Sequence, residues 1–212
     1  MPSSSAPLVV KLGGSLHGSP TLADWLTALK CYPRPLTIVP GGGPFADTVR
    51  AAQPASGYDD KTAHAMAVLA MEQYALVLAN LDGSLELAAS RDAIVAAHAR
   101  GQIALWRPSA MVAAADDIAP SWDVTSDSLA AWLAKKLGAC ALTLIKSVDI
   151  GDGALLSEIV RKGVVDPALP DYLVGTPLFL AGPSSLPRAA ALLADGVPPG
   201  AAIANFPTRK SA

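Results

Sequence analysis

Two glycine clusters, each directly after an apolar run, are the first residues in the chain with obvious chemical potential. Lys11 closes the run LVVKL, and Gly13, Gly14 and Ser15 follow it; Gly41, Gly42 and Gly43 follow a second run, PLTIVP. Glycines cost backbone entropy, and a lysine beside an apolar strand is costly to desolvate, so a bound group should offset both. Without a Cβ in the way, backbone N–H groups can approach an oxyanion, which makes each cluster a candidate phosphate cradle. Two cradles suggest a donor phosphate meeting an acceptor. Neither cluster matches G-x-x-x-x-G-K-[ST] or G-x-G-x-x-G, which disfavours a P-loop and a standard dinucleotide site.

Three further residues fit the same chemistry. Asp127 falls in the first turn of a helical segment, Lys146 ends the next apolar run, and Asp149 lies three residues on. Phosphoryl transfer spreads negative charge over equatorial oxygens, which Lys11 and Lys146 could neutralise from two sides. An aspartate between them would hold both ammonium groups in place and keep them charged. Each residue also has a plainer role: the glycines can make turns, Asp127 can complement a helix dipole, and Lys146 can reach solvent. Together, at strand ends, the chemical reading prevails.

The elements that would position these residues alternate from start to finish. PLVVKL and PLTIV read as buried strands, and TLADWLTALK between them carries Leu22, Trp25, Leu26 and Leu29 on one helical face, giving a βαβ unit. A helix starts near Pro44, and the longest helical pattern runs from about Asp59 to about Asn80. RDAIVAAHARG predicts a helix, QIALW a strand, and AAADDIAPSWD a loop. The next helix has Thr125 or Ser126 at its start and Gly138 at its end, and CALTLIKSVD follows as a buried strand. PLFLA, SLPRAAALLADG and AAIANF complete the pattern as strand, helix and strand. No internal repeat or flexible linker interrupts it, so residues 1–212 are expected to form one domain around a mostly parallel sheet. In such a sheet both glycine clusters face one crevice, outside the C-terminal ends of the strands.

Composition narrows the partners. Of 212 residues, 51% are hydrophobic and 16% charged, ample for a large core. A formal charge of -2 gives no reason to expect nucleic acid, and Lys135 and Lys136 read as a solvated helix face. Cys31 and Cys140 lack metal or C-x-x-C spacing and are expected to be buried thiols, with no metal site assigned. MPSSSAP has no signal-peptide character, and charge or proline interrupts the apolar stretches before membrane-spanning length. A soluble, cytoplasmic protein with no membrane partner is expected.

The same segments resemble the amino acid kinase family, which includes acetylglutamate, aspartate, uridylate and isopentenyl phosphate kinases. VVKLGGSL resembles the family's K-x-G-G-S strand and loop, and IVPGGGPFADTVR its second glycine loop. TSDSLAAWLAKKLGACALTLIKSVDIGDG resembles its S/N-x-D-x-x-A helix and the strand after it. The resemblance implies a three-layer α/β/α sandwich with a mainly parallel sheet of about eight strands. It also implies transfer of the ATP γ-phosphoryl group with Mg²⁺, and a homo-oligomer. By motif, Lys11 would stabilise the transferring group, Gly13 and Gly14 would donate from the backbone, and Asp127 would organise the lysine. Gly42 and Gly43, beside Gly41, would hold the acceptor or the γ-phosphate side. Lys146 matches a lysine of uridylate kinases, while Asp149 and the loop through Gly151 and Gly153 would border the nucleotide. SVDIGDG departs from the usual V-D-G-V, and AGPSSLPR stands where several relatives carry a second lysine, leaving Lys146 or Arg188 to replace that charge.

The middle segment DDKTAHAMAVLAMEQYALVLA resembles the A-H-x-M-A-x-x-A-M-x-Q-Y helix of a small branch. That branch phosphorylates 5-(aminomethyl)-3-furanmethanol phosphate to its diphosphate in methanofuran biosynthesis. On this resemblance Asp60, His64 and Met66 would line the acceptor pocket, with Asp60 binding the aminomethyl ammonium. Packing is the competing role for His64, Trp122, Met66 and Met71, a loop position for His17 and the surface for His98. Two other functions stay open: a uridylate kinase, and a non-catalytic nucleotide-binding storage or regulatory protein on the same scaffold.

Overall fold

The computed structural model describes residues 6–204. Within them, β1 (Leu8–Leu12), β2 (Leu36–Pro40), β3 (Glu86–Ala88), β4 (Ala104–Trp106), β5 (Ala141–Ile145), β6 (Leu178–Ala181) and β7 (Ala201–Ala202) form one sheet. Its order is β3-β4-β2-β1-β5-β6-β7. Every neighbouring pair is parallel except β6 with β7. Seven strands among the described residues replace the expected count of about eight. β3 escaped the sequence reading because three residues, one of them exposed, leave too little alternation to register. The expected last strand shrinks to Ala201–Ala202 with a bridge from Ala204 to Leu155, and residues 205 and 206 lie outside the described residues.

The helices are α1 (Leu22–Leu29), α2 (Gly43–Ser56), α3 (Asp60–Leu81), α4 (Arg91–Ala99), α5 (Ser109–Ala113), α6 (Ser126–Leu137), α7 (Leu156–Arg161), α8 (Leu169–Tyr172) and α9 (Leu186–Ala194). Strand alternation sorts them into two layers. Val9 of β1 packs in a core cluster with Leu129, Ala130 and Leu133 of α6, whereas Leu8, Val10 and Leu12 join Trp25 and Leu29 of α1 and Leu193 of α9. Each buried leucine here contributes about 1.5–3 kcal/mol. Lys11 shares the parity of Val9 and so belongs to the α6 face. On β5, Leu142 and Leu144 lie in the α6-side cluster, and Lys146, two residues on, continues that face. Period-two geometry therefore aims both lysines at one helix.

Three residues sit differently from expectation. Cys31 is exposed and Cys140 half-buried: Cys31 lies just past the end of α1 and Cys140 just before β5, outside the buried elements themselves. His98 is half-buried, its Nε2 3.0 Å from both Thr37 Oγ1 and the Leu36 carbonyl. α3 is long and apolar enough to meet the length test for a membrane span, with a mean hydropathy of 1.2, yet Val68, Met71, Tyr74 and Leu78 pack into the core.

The glycine clusters meet backbone to backbone. A Cβ on Gly41 would lie 2.3 Å from Gly14 N, and one on Gly14 would lie 2.3 Å from Gly43 N. Only glycine permits that approach, so the two loops form one wall. Gly41→Ala is expected to lower unfolding free energy by about 1–3 kcal/mol, because the overlap is with backbone. Gly83→Ala, where a Cβ meets nothing within 4 Å, is the control and should stay within about 0.5 kcal/mol. Urea denaturation measures both; equal midpoints would mean the loops separate freely.

Candidate active site

The crossovers place β1 beside β5, with Lys11 opposite Leu144, so the two lysines come from neighbouring strands. The N-terminus of α6 lies over them and contributes Asp127. Lys11 Nζ lies 2.8 Å from Asp127 Oδ1, an ion pair outside hydrogen-bond alignment, while Lys146 Nζ donates to Oδ2. Asp127 is 2% and Lys11 5% exposed. Burial alone would push the Asp127 pKa up, but the ammonium groups of Lys11 and Lys146 hold it below the ordinary carboxylate value. Burial, reinforced by the charge of Lys11, pulls Lys146 down to about 8, with Asp127 opposing. With Arg50 and Asp166 at its border, the site sets three cations against two carboxylates, a surplus of one positive charge. Such a site favours a phosphoryl group.

A second carboxylate fixes the helix that carries Asp127. Thr125, the residue before α6, makes no cap bond with its own side chain. Instead Asp166 Oδ2 accepts from Thr125 N at 2.8 Å, Ser128 N at 2.9 Å and Ser128 Oγ at 3.0 Å, and Oδ1 accepts from Thr125 Oγ1 at 2.6 Å. The orphan donors of the first turn are thus satisfied from a distant loop. Burial, together with the charge of Asp127, raises the Asp166 pKa against those hydrogen bonds.

The glycine loops share their work unevenly. Gly13 was expected to donate to a ligand, but its N–H goes to the Ile145 carbonyl at 3.0 Å. Gly41 N–H likewise goes to Leu12 O at 2.9 Å. Both continue the pairing of adjacent strands, which the sequence read as the start of free loops. Gly14 and Ser15 open a 3₁₀ turn and Gly43 opens α2, positions whose N–H groups have no intrahelical partner.

Two chambers of about 260 Å³ each meet here. One is lined by Gly14, Gly43, Arg50, His64 and Trp122, the other by Lys11, Asp127, Lys146 and Asp166. Arg50, Trp122 and Thr125 border both. The Arg50 guanidinium lies 4.3 Å from the Trp122 ring centroid, and Trp122 Nε1 donates to Gln53 Oε1 at 2.7 Å. Gln53 Nε2 in turn donates to Asp60 Oδ1 at 2.9 Å. Asp60, expected in the acceptor pocket, is therefore exposed at the start of α3 and lines neither chamber. Asp60 shares the His64 side of α3 but stands one turn nearer the helix start, outside the chamber and bonded to Gln53.

The sequence profile of the amino acid kinase family matches residues 6–150. The chain belongs to the amino acid kinase family. A relative, the (5-(aminomethyl)furan-3-yl)methyl phosphate kinase of Methanocaldococcus jannaschii, is 30% identical over 143 residues, which is 66% of either chain. The solved uridylate kinase of Archaeoglobus fulgidus superposes with a TM-score of 0.68 at 17% identity, over 93% of this chain and 99% of its own. The UMP kinase of Bacillus anthracis gives 0.64 at 16%, over 96% and 97%. These superpositions speak to the fold alone. The three-layer kinase fold read from the sequence is the one found.

Within this family member, Lys11, Asp127 and Lys146 converge, and Gly14, Ser15, Gly42, Gly43 and His64 border the adjoining chamber. Asp149 stands on an exposed turn with Gly151 and Gly153, its Oδ1 accepting from Ser184 N at 2.9 Å and Ser184 Oγ at 2.7 Å. Those bonds hold its pKa below the ordinary carboxylate value. Arg188 is exposed on α9 and lines neither chamber, so Lys146 is the second cation at Asp127. Arg50 and Asp166 escaped the sequence reading. Arg50 lies two helical turns after Gly43, hence on the same face of α2, a signal present in the sequence. Asp166 had no local signal; only the tertiary fold brings it to α6. Asp166→Ala is expected to cost at least about 2 kcal/mol, since buried donors lose their partner. Urea unfolding with tryptophan fluorescence reads it, and an unchanged midpoint would detach Asp166 from α6.

Proposed function

We propose that this kinase transfers the γ-phosphoryl group of ATP to a small phosphate monoester, 5-(aminomethyl)-3-furanmethanol phosphate, giving the diphosphate. The observation that carries the reading is the pair of chambers: a cationic one around Asp127 opens, past Arg50 and Trp122, onto a second that lies below the about 300–1,000 Å³ of drug-sized pockets. That size suits a small acceptor, and the named relative acts on this class of molecule. An acceptor phosphate oxygen attacks the γ-phosphorus and the bond to the ADP oxygen breaks. The attacking oxygen is already anionic, so no general base is required. Lys11 and Lys146 neutralise the charge spreading over the equatorial oxygens, and Asp127 keeps them apart and aligned. Backbone N–H groups of Gly14, Gly42 and Gly43 support the phosphates, and the Arg50 fork grips the acceptor's own phosphate. Ser15, Gly151, Gly153 and the Asp149 turn border the nucleotide.

The described residues gather no group of three or more potential metal ligands, and Asp127 and Asp166 are each engaged by other side chains. That donor set fits Mg²⁺ carried mainly by nucleotide phosphates and water. When bound, Mg²⁺ supplies further neutralisation of the β- and γ-phosphate charge.

The test is ADP release from Mg²⁺-ATP with the furan phosphate and with UMP in parallel. Release with the furan ester supports the reading, release with UMP alone replaces it with a uridylate kinase, and silence with both points to a binding protein. Lys11→Ala should lower kcat at least about a hundredfold; an unchanged kcat would remove Lys11 from the mechanism. Lys146, with its pKa near 8, is charged below that value and neutral above it. Since kcat/KM reports the free enzyme, it should fall as pH rises through about 8. Lys146→Arg should move that alkaline limb upward, because guanidinium stays charged.

A further inference from the structure

His64 is 6% exposed and lines the acceptor chamber, yet half of its hydrogen-bonding capacity is unused. Its Nδ1 lies 3.3 Å from the Ser121 carbonyl. A carbonyl only accepts, so the proton of the neutral ring sits on Nδ1 and Nε2 presents a bare lone pair. Nε2 is buried and has no partner among the described residues. A buried acceptor without a donor is costly, and such exceptions in a folded protein ask for a ligand or an ordered molecule. Burial keeps the ring from protonating, against the pull of the Ser121 and Val124 carbonyls.

The groups around it narrow what that ligand group can be. Asp60, the acidic residue nearest in sequence, is tied to Gln53 and lies outside the chamber. Asp47 borders the same chamber but is exposed. Arg50 borders both this chamber and the cationic one, whereas His64 lines only the former of the two.

Resting on the acceptor chamber proposed above, we infer that His64 Nε2 accepts a hydrogen bond from the substrate's ammonium group and thereby reads the end of the molecule remote from its phosphate. His64 is then a specificity residue, with no part in bond making.

Calorimetric titration without nucleotide tests this, using the aminomethyl furan phosphate and the analogue in which a methyl group replaces the aminomethyl group. The wild type should prefer the amine about ten- to a hundredfold, the range of a hydrogen bond to a charged group. His64→Leu should bring the two esters to equal affinity, His64→Gln, whose side-chain oxygen also accepts, should restore part of the preference, and Asp47→Asn should keep it. Should His64→Leu fail to fold by circular dichroism, the wild type still decides: the ¹⁵N resonance of Nε2 should shift with the amine ester and stay put with the methyl ester. Preference that survives His64→Leu, or is lost in Asp47→Asn, overturns the inference and leaves the kinase reading standing. Failure of the wild type to bind either ester overturns the furan reading and this inference with it.

Discussion

A carboxylate with almost no access to water, held between two ammonium groups, is the constraint on which the rest of the molecule depends. Taking such charges from water costs several kcal/mol per ion after relaxation, and only mutual attraction in good geometry offsets it. None of the three is sustainable alone. The two lysines keep Asp127 ionised, and Asp127 offsets the effect of the Lys11 charge on Lys146. The fold supplies the geometry through two regularities: alternation along parallel strands, which turns Lys11 and Lys146 to one face, and adjacency of β1 and β5. Counting Arg50 and Asp166, the lining keeps one positive charge that no carboxylate within it balances.

The glycine loops answer to a different constraint. Their smallness lets the ends of β1 and β2 touch, so the two loops form one continuous surface. Half of the apparent cradle is sheet: Gly13 and Gly41 donate to neighbouring strands, and the residues that follow them, Gly14, Gly42 and Gly43, turn toward the chamber. α2 then carries Arg50 from that surface to the seam between the chambers, where the Trp122 ring supports its guanidinium and Gln53 anchors Trp122. The wall of this region is thus a chain of side chains on α2, α3 and the loop before α6.

The local and periodic parts of this arrangement were legible in the sequence. Apolar runs ending in glycine marked β1 and β2, the apolar run CALTLI marked β5, and Lys11, Asp127 and Lys146 stood at element ends where a reacting group could reach them. What stayed hidden was set by tertiary contact. Asp166 lies in an unremarkable loop and acquires its role only when α6 is placed against it. Asp60 has the charge to bind an amine, but the first turn of α3 points it to Gln53, whereas His64, one turn on, faces inward. Arg50 was within reach of a reading by helical phase. β3 is too short and too exposed for any pattern to identify it.

Because the carboxylate that closes α6 comes from beyond residue 150, the order of synthesis matters. A growing chain can pair β1 with β2 and wind α6 early, but the first turn of that helix keeps open donors until Asp166 leaves the ribosome. Until then Asp127 rides on a fraying helix end and cannot hold the two cations at a fixed spacing. Partial translation products that stop short of Asp166 therefore lack the bonds that fix the first turn of α6, however much of the family's recognisable sequence they contain.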